Sequence, residues 1–165
     1  MLPIVLASKS VKVGLAGSGE GLVRRRAMLA EAGVEPVPTA PEADLDGLDV
    51  LFVAGVDGQV SAALAGRARA AGILVNVEDR PDLCDFHVPA MLRRGELLLT
   101  VSTGARAPGL ARRLKDWLAG LIGPDWSAHL DTIGDARAEW RAQGLGPTEV
   151  SRRTREMVAE KGWLA

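Results

Sequence analysis

Cysteine occurs once in the 165 residues, at Cys84, so no internal disulfide can form and the fold must rest on its own core. The N-terminus lacks the basic-then-apolar layout of a secretory signal, and no uninterrupted apolar run is long enough to span a membrane as a helix. Both absences favour a cytoplasmic protein with no membrane partner. The formal net charge is only −1, which removes any global attraction for nucleic acid, so ionic partners must be sought in local charge. Internal repeats and low-complexity tracts are missing too. What is present is an ordinary globular composition, 47% apolar and 25% charged, in a chain long enough for one domain with a small appendage.

The apolar pattern alternates between strands and helices. Val11, Val13 and Leu15 mark a first strand, "AGSGEG" a glycine turn, and "LVRRRAMLAEAG" a helix closed by Gly33. "DVLFVAG" (Asp49 to Gly55), the alanine-rich "QVSAALAGRARAAG" and "ILVNV" (Ile73 to Val77) repeat the pattern, which predicts a parallel sheet with crossover helices. Between them Pro36, Pro38 and Pro41 limit residues 34–49 to a short edge strand and an acidic loop. A strand at Glu96 to Ser102 and a helix from about Leu110 to Leu121 are expected to finish the doubly wound unit. Two helices follow, the second opened at Pro147 and Thr148, with Trp126, Leu130, Ile133, Trp140, Val150, Met157, Val158 and Trp163 on their apolar faces.

Three segments carry candidate chemistry. Gly17-Ser18-Gly19-Glu20-Gly21-Leu22 stands between strand and helix, where glycines let a backbone approach a pyrophosphate at a helix N-terminus. The third fingerprint position is Leu22, not glycine or alanine, which is expected to crowd the helix against the strand, and a plain turn is an equal reading. Asp79 stands just after "ILVNV", one residue beyond Glu78, at the carboxyl edge where open parallel sheets bind ligands, and can act as a general base. Cys84 and His87 have the residue types of metal ligands but lack recurrent spacing, so no permanent metal site is expected and His87 is kept only as a transient contact. From Val88 to Lys115 the segment is basic, with Arg93, Arg94, Arg106, Arg112, Arg113 and Lys115 against the single Glu96, which suits a ligand rich in carboxylates. Arg106 stands in a glycine-containing turn, where function is often placed.

"MLPI", "GSGEGLVRRR", "ILVNVED" and "DLCDFHVPAMLRRGELLLTVSTGARAPGLARRL" together resemble the siroheme synthase N-terminal module family, the precorrin-2 dehydrogenases and sirohydrochlorin ferrochelatases. The resemblance covers nearly the whole chain. It implies a Rossmann-like α/β fold followed by a small dimerisation segment and C-terminal helices, divided at 1–78, 79–122 and 123–165. The implied activity is NAD-dependent oxidation of precorrin-2 to sirohydrochlorin, an octacarboxylate tetrapyrrole, with ferrous iron as a further substrate in some members. Asp79 maps to the family's catalytic aspartate. NAD contacts map to Gly17, Gly19, Glu20, Gly21, Pro41, Glu42, Val56 and Asp57, and substrate contacts to Asn76, Arg93, Arg94, Ser102, Thr103, Gly104 and Arg106. A homodimer is implied as well. Leu22, Val56 in place of the usual threonine, and the short span between Pro41 and Asp49 depart from the family in its nucleotide half. An NAD-independent chelatase and a non-catalytic tetrapyrrole-binding paralogue therefore stand as alternatives.

Overall fold

The computed structural model describes residues 2–164; Met1, the first residue of the "MLPI" match, and Ala165 lie outside the described residues. The chain forms two compact units, one ending at Val88 and the other beginning at Pro89.

In the first unit, β1 (Val13–Gly17), α1 (Gly19–Glu31), β2 (Val37–Pro38), β3 (Val50–Ala54), α2 (Gly58–Ala70) and β4 (Leu74–Val77) follow in order. The strands form one parallel sheet ordered β2-β1-β3-β4. Strand β3 is buried along its whole length, as a strand covered on both faces must be. One face carries Ala16, Leu51, Val53, Val75 and Val77 against Leu64, Ala65 and Ala68 of α2. The other carries Val13, Leu15, Val50 and Phe52 against Leu29 of α1. The prolines do what their chemistry requires: β2 is two residues long and lies at the sheet's edge.

In the short span after β2, the loop from Thr39 to Asp49 folds back onto the sheet and buries Leu45 and Leu48 in the α2-side core. Gly14 makes this possible, since a Cβ there would lie 2.6 Å from Leu48 Cδ1 and 2.9 Å from Thr39 Oγ1. The other sheet edge is closed by the segment after β4. Asp85 Oδ2 accepts from the Val75 N–H at 2.9 Å, Asp85 N–H donates to Val75 O at 2.8 Å, and Asn76 Nδ2 donates to Phe86 O at 2.9 Å. These bonds tie residues 79–88, which the sequence reading grouped with the following region, to the first unit.

The second unit holds β5 (Ala90–Arg94), β6 (Leu97–Val101), α3 (Pro108–Leu121), α4 (Trp126–Ala142) and α5 (Pro147–Glu160). Here the structure corrects an expectation: β6 does not finish the doubly wound sheet but pairs antiparallel with β5 in a separate two-stranded sheet. The connection explains it. Arg94 pairs with Leu97 across a two-residue turn opened by Gly95 at φ 57°, and so short a turn can only return the chain antiparallel. Ala90–Arg94, for which the apolar pattern predicts no strand, thus form one.

α3 packs on the hairpin and α4 on α5. Arg137 Nη1 donates to Thr154 Oγ1 at 3.2 Å, and Val150 is fully buried. On the exposed face of α5, Arg152 donates from Nε to Glu149 Oε2 at 2.9 Å, and Arg153 donates to Glu149 Oε1 at 3.2 Å. These bonds, led by those from Arg152, lower the Glu149 pKa from its ordinary 4.5 to about 2. A depressed carboxylate stabilises the fold above its unfolded pKa and loses that contribution as pH falls through the folded value. The stability gap between the protein and its Glu149→Gln variant should therefore close between pH 4.5 and about 2, measured by acid titration of helical circular dichroism. Exposure keeps the gap small.

Candidate active site

Strand order reverses between β1 and β3, because the chain leaves β1 toward β2 on one side and leaves β3 toward β4 on the other. Loops at such a point splay apart and leave a crevice at the carboxyl ends of the strands. Two glycines bring the loops together at its floor. A Cβ on Gly17, whose φ is 146°, would lie 1.7 Å from Ala54 O; one on Gly55, with φ 67°, would lie 2.1 Å from Ser18 O. Ser18 N–H donates to Ala54 O at 3.1 Å, and Ser18 Oγ donates to Gly55 O at 2.8 Å.

That second bond has a chemical consequence. Ser18 is the N-cap residue of α1, yet its side chain makes no capping bond, so the first N–H groups of α1 are left for an anion. α2 is the opposite case, because Asp57 Oδ1 accepts from Gln59 N–H at 2.8 Å and Val60 N–H at 3.1 Å and fills that terminus with the protein's own carboxylate. α1 begins at Gly19, earlier than the sequence suggests, so Gly19, Glu20 and Gly21 form its first turn. A Cβ on Gly19 would meet nothing within 4 Å, while one on Gly21 would meet Glu78 Oε2 at 2.3 Å and Gly55 N at 3.1 Å.

Leu22 therefore does not crowd the helix against the strand. The close approach falls at Gly21, and Leu22 packs against the apolar cluster of Val13, Leu15, Val50 and Phe52. Val56, likewise, packs on the α2-side core. Pro41 and Glu42 are exposed in the loop after β2.

At the end of β4, Asp79 is exposed and has φ 57°, a left-handed conformation that aspartate tolerates better than most side chains. Beside it Glu78, largely buried, pairs with Arg24 Nη2 at 3.5 Å. Arg25 lies 5.1 Å from the centroid of the Phe52 ring, and Phe86 meets that ring edge-on at 5.4 Å. Burial lowers the Arg25 pKa, opposed by the charges of Glu78 and, more weakly, Asp79.

Asn76 is only 6% exposed and its Nδ2 is held by Phe86 O, so the residue braces the segment after β4. Its Oδ1 is buried without a partner among the described residues. The Cys84 thiol is engaged with the backbone, its single S–H facing Val77 O and Arg80 O, each at 3.2 Å, and its sulfur accepting from Val77 N–H at 3.2 Å. His87 is exposed, and among the described residues no group of three or more His, Cys, Asp or Glu is placed to hold a metal ion.

In the second unit, Arg93 and Arg106 are exposed. Arg94 is not free for a ligand: it donates from Nε to Ile122 O at 3.0 Å, from Nη2 to Ala119 O at 3.5 Å and from Nη1 to Arg93 O at 3.2 Å, and so caps the C-terminal end of α3. Thr103 Oγ1 accepts from Ala107 N–H at 3.2 Å and Ser102 Oγ from Gly104 N–H at 3.4 Å, shaping the turn that carries Gly104 at φ 63° and Ala105 at φ 62°. Both hydroxyls keep their own O–H to donate. The candidate residues drawn from the sequence include neither Gly55 nor Glu78, and Ser18 only as a member of the glycine turn; the glycine that ends "DVLFVAG" at the sheet's carboxyl edge is the signal that pointed to Gly55.

A family model described as "Putative NAD(P)-binding" matches residues 8–90. The siroheme synthase of Methylococcus capsulatus is 36% identical over 137 residues, which is 69% of this chain and 29% of that protein. The siroheme synthase of Methylobacillus flagellatus is 33% identical over 144 residues, 73% of this chain and 31% of its own length. The chain thus spans about a third of the curated relatives it matches. Among solved structures, "SirC, precorrin-2 dehydrogenase" superposes with a TM-score of 0.77 at 18% identity, covering 100% of this chain and 93% of that one. That likeness shows a shared fold, the Rossmann-like sheet with its crossover helices. The family match spans half of the chain and contains every glycine of the crevice, and the relatives extend it into the second unit: the chain belongs to this NAD(P)-binding family, the family of the siroheme synthase N-terminal module.

Proposed function

We propose that the chain oxidises precorrin-2 to sirohydrochlorin with NAD as acceptor, the dehydrogenase step of siroheme biosynthesis. The observation that carries this reading is the uncapped N-terminus of α1 at the strand-order reversal, floored by Gly17 and Gly55. The cofactor fits these residues. Gly17, Gly19, Glu20 and Gly21 would hold the pyrophosphate, for which Gly19 leaves open space, and Pro41, Glu42 and Val56 would flank the dinucleotide. Asp57 contributes as the cap that fixes the start of α2.

When bound, NAD supplies a hydride acceptor. Asp79 takes up the proton that leaves the macrocycle as the hydride departs, so the substrate loses both hydrogens and two electrons in balance. Its exposure at the carboxyl edge of the sheet suits that role. In the second unit the exposed Arg93 and Arg106 suit carboxylates and the Ser102 and Thr103 hydroxyls, on the turn with Gly104, can donate to a ligand, while Asn76 and Arg94 act through the backbone they hold. Of the three departures that raised the NAD-independent chelatase, the one expected to crowd the crevice does not, since Leu22 packs against the apolar cluster. The test is calorimetric titration with NAD, with anaerobic precorrin-2 turnover followed by NADH absorbance in the same preparation. Binding with NADH production is expected; no binding and no NADH would overturn the proposal. Ferrous iron as a second substrate rests on the family resemblance and is tested by adding it to the sirohydrochlorin product.

The same proposal includes a homodimer. Leu110, Leu114, Trp117 and Leu121 recur along one stripe of α3 and are exposed, Trp117 by 62%. A second copy is the occupant that the family implies. Trp117→Glu should shift the protein from dimer to monomer in sedimentation velocity, weakening association by about 2 kcal/mol or more, as loss of a tryptophan anchor does.

A further inference from the structure

The loop after β2 is held by an arginine outside the machinery proposed above. Arg67, in the last turn of α2, donates from Nη1 to Pro41 O and from Nη2 to Ala43 O. A planar guanidinium presenting two N–H groups to two carbonyls fixes the backbone between them, here the backbone of Glu42. The loop is anchored on either side of this fork. Thr39 N–H donates to Leu15 O at 3.0 Å where the loop leaves β2, and Leu45 and Leu48 are buried beyond it. Asp44 Oδ1 accepts from Asp46 N–H at 3.0 Å, whereas Glu42 is exposed and makes no ion pair among the described residues.

We infer that Arg67 is a positioning residue for the adenosine end of the dinucleotide, one that fixes Glu42 in the loop beyond the carboxyl end of β2 and thereby selects NAD over NADP. The inference rests on the NAD-dependent reading above. A carboxylate at that place accepts hydrogen bonds from ribose hydroxyls and repels a 2′-phosphate. An arginine free to turn toward the ribose would reverse this preference. Arg67 is withheld from that role because both of its terminal nitrogens are already bonded to the loop.

The test compares the protein with Arg67→Ala and Arg67→Lys, using NAD and NADP as separate titrants in calorimetry and as separate acceptors in anaerobic turnover. Arg67 is exposed, so both variants should fold. In Arg67→Ala the Kd and KM for NAD should rise about tenfold, kcat at saturating NAD should change by less than about twofold, and the preference over NADP should shrink. Arg67→Lys should recover part of the loss, because an ammonium reaches one of the two carbonyls. A folded Arg67→Ala whose NAD affinity and NAD-to-NADP ratio stay within about twofold of the parent overturns the inference, even if its Tm falls. A parent protein that binds neither dinucleotide overturns the functional reading and this inference together. A parent that binds NAD beside an unchanged variant overturns the inference alone.

Discussion

Asp79→Asn is expected to reduce NADH production from precorrin-2 by about 100- to 10,000-fold, the usual contribution of a positioned general base. Asparagine is the informative replacement because of the backbone. Asp79 has φ 57°, and asparagine tolerates that conformation as aspartate does, whereas alanine adds about 1 to 2 kcal/mol of backbone strain. Asp79→Asn should therefore leave Tm and tetrapyrrole binding unchanged while turnover disappears, and Asp79→Ala should lose turnover and some stability together. Anaerobic absorbance assays at saturating NAD, beside thermal unfolding, separate the two effects. An Asp79→Asn enzyme that keeps more than about a tenth of the parent rate would remove the residue from the chemistry.

Gly17→Ala is expected to be the most damaging single change in the first unit. Its Cβ would enter the backbone carbonyl of Ala54 at 1.7 Å, and that carbonyl is fixed by the Ser18 N–H. Neither strand can yield, since β1 and β3 are paired over their full length. Destabilisation above about 3 kcal/mol follows, in the range reserved for backbone collision and strain. Gly19→Ala is the comparison. There the new methyl meets no protein atom, so the stability cost is only the left-handed preference at φ 61°, about 1 to 2 kcal/mol, while the methyl intrudes where the pyrophosphate is proposed to lie. One variant should lose the fold and the other mainly NAD affinity. Denaturant unfolding by circular dichroism reads the difference, because every tryptophan, from Trp117 to Trp163, lies in the second unit and would not report on the first.

Much of the sheet could be read directly from residue order. "DVLFVAG" is apolar without alternation because β3 is covered on both faces, and the prolines confine β2 to an edge because a strand interior needs their missing N–H. The hairpin escaped because periodicity cannot say which strand a strand pairs with; only the two-residue span between Arg94 and Leu97 does. Site residues divide in the same way. Asp79 stood out as an acid following an apolar strand, and its φ bears on the role proposed for it. Arg94 was expected at the substrate, Asp57 at NAD, and Arg67 was not singled out, whereas each is bonded to backbone groups remote from it or just ahead of it. Sequence spacing carries no record of which carbonyl or N–H a long side chain will find. Leu22 shows the complementary limit, since a fingerprint counted in residues placed the tight contact one position too late.

The two margins of the parallel sheet have a consequence for assembly. An open sheet normally recruits further strands along its edges, from its own chain or from another. Here β2 offers only Val37 and Pro38, and the proline has no N–H to donate, while β4 is occupied by Asp85 and Cys84 along the row of groups a newcomer would need. Neither edge can template a neighbouring molecule. Self-association of this protein is thereby steered away from backbone pairing by the first unit, and toward contacts between side chains whose strength and specificity substitution can tune.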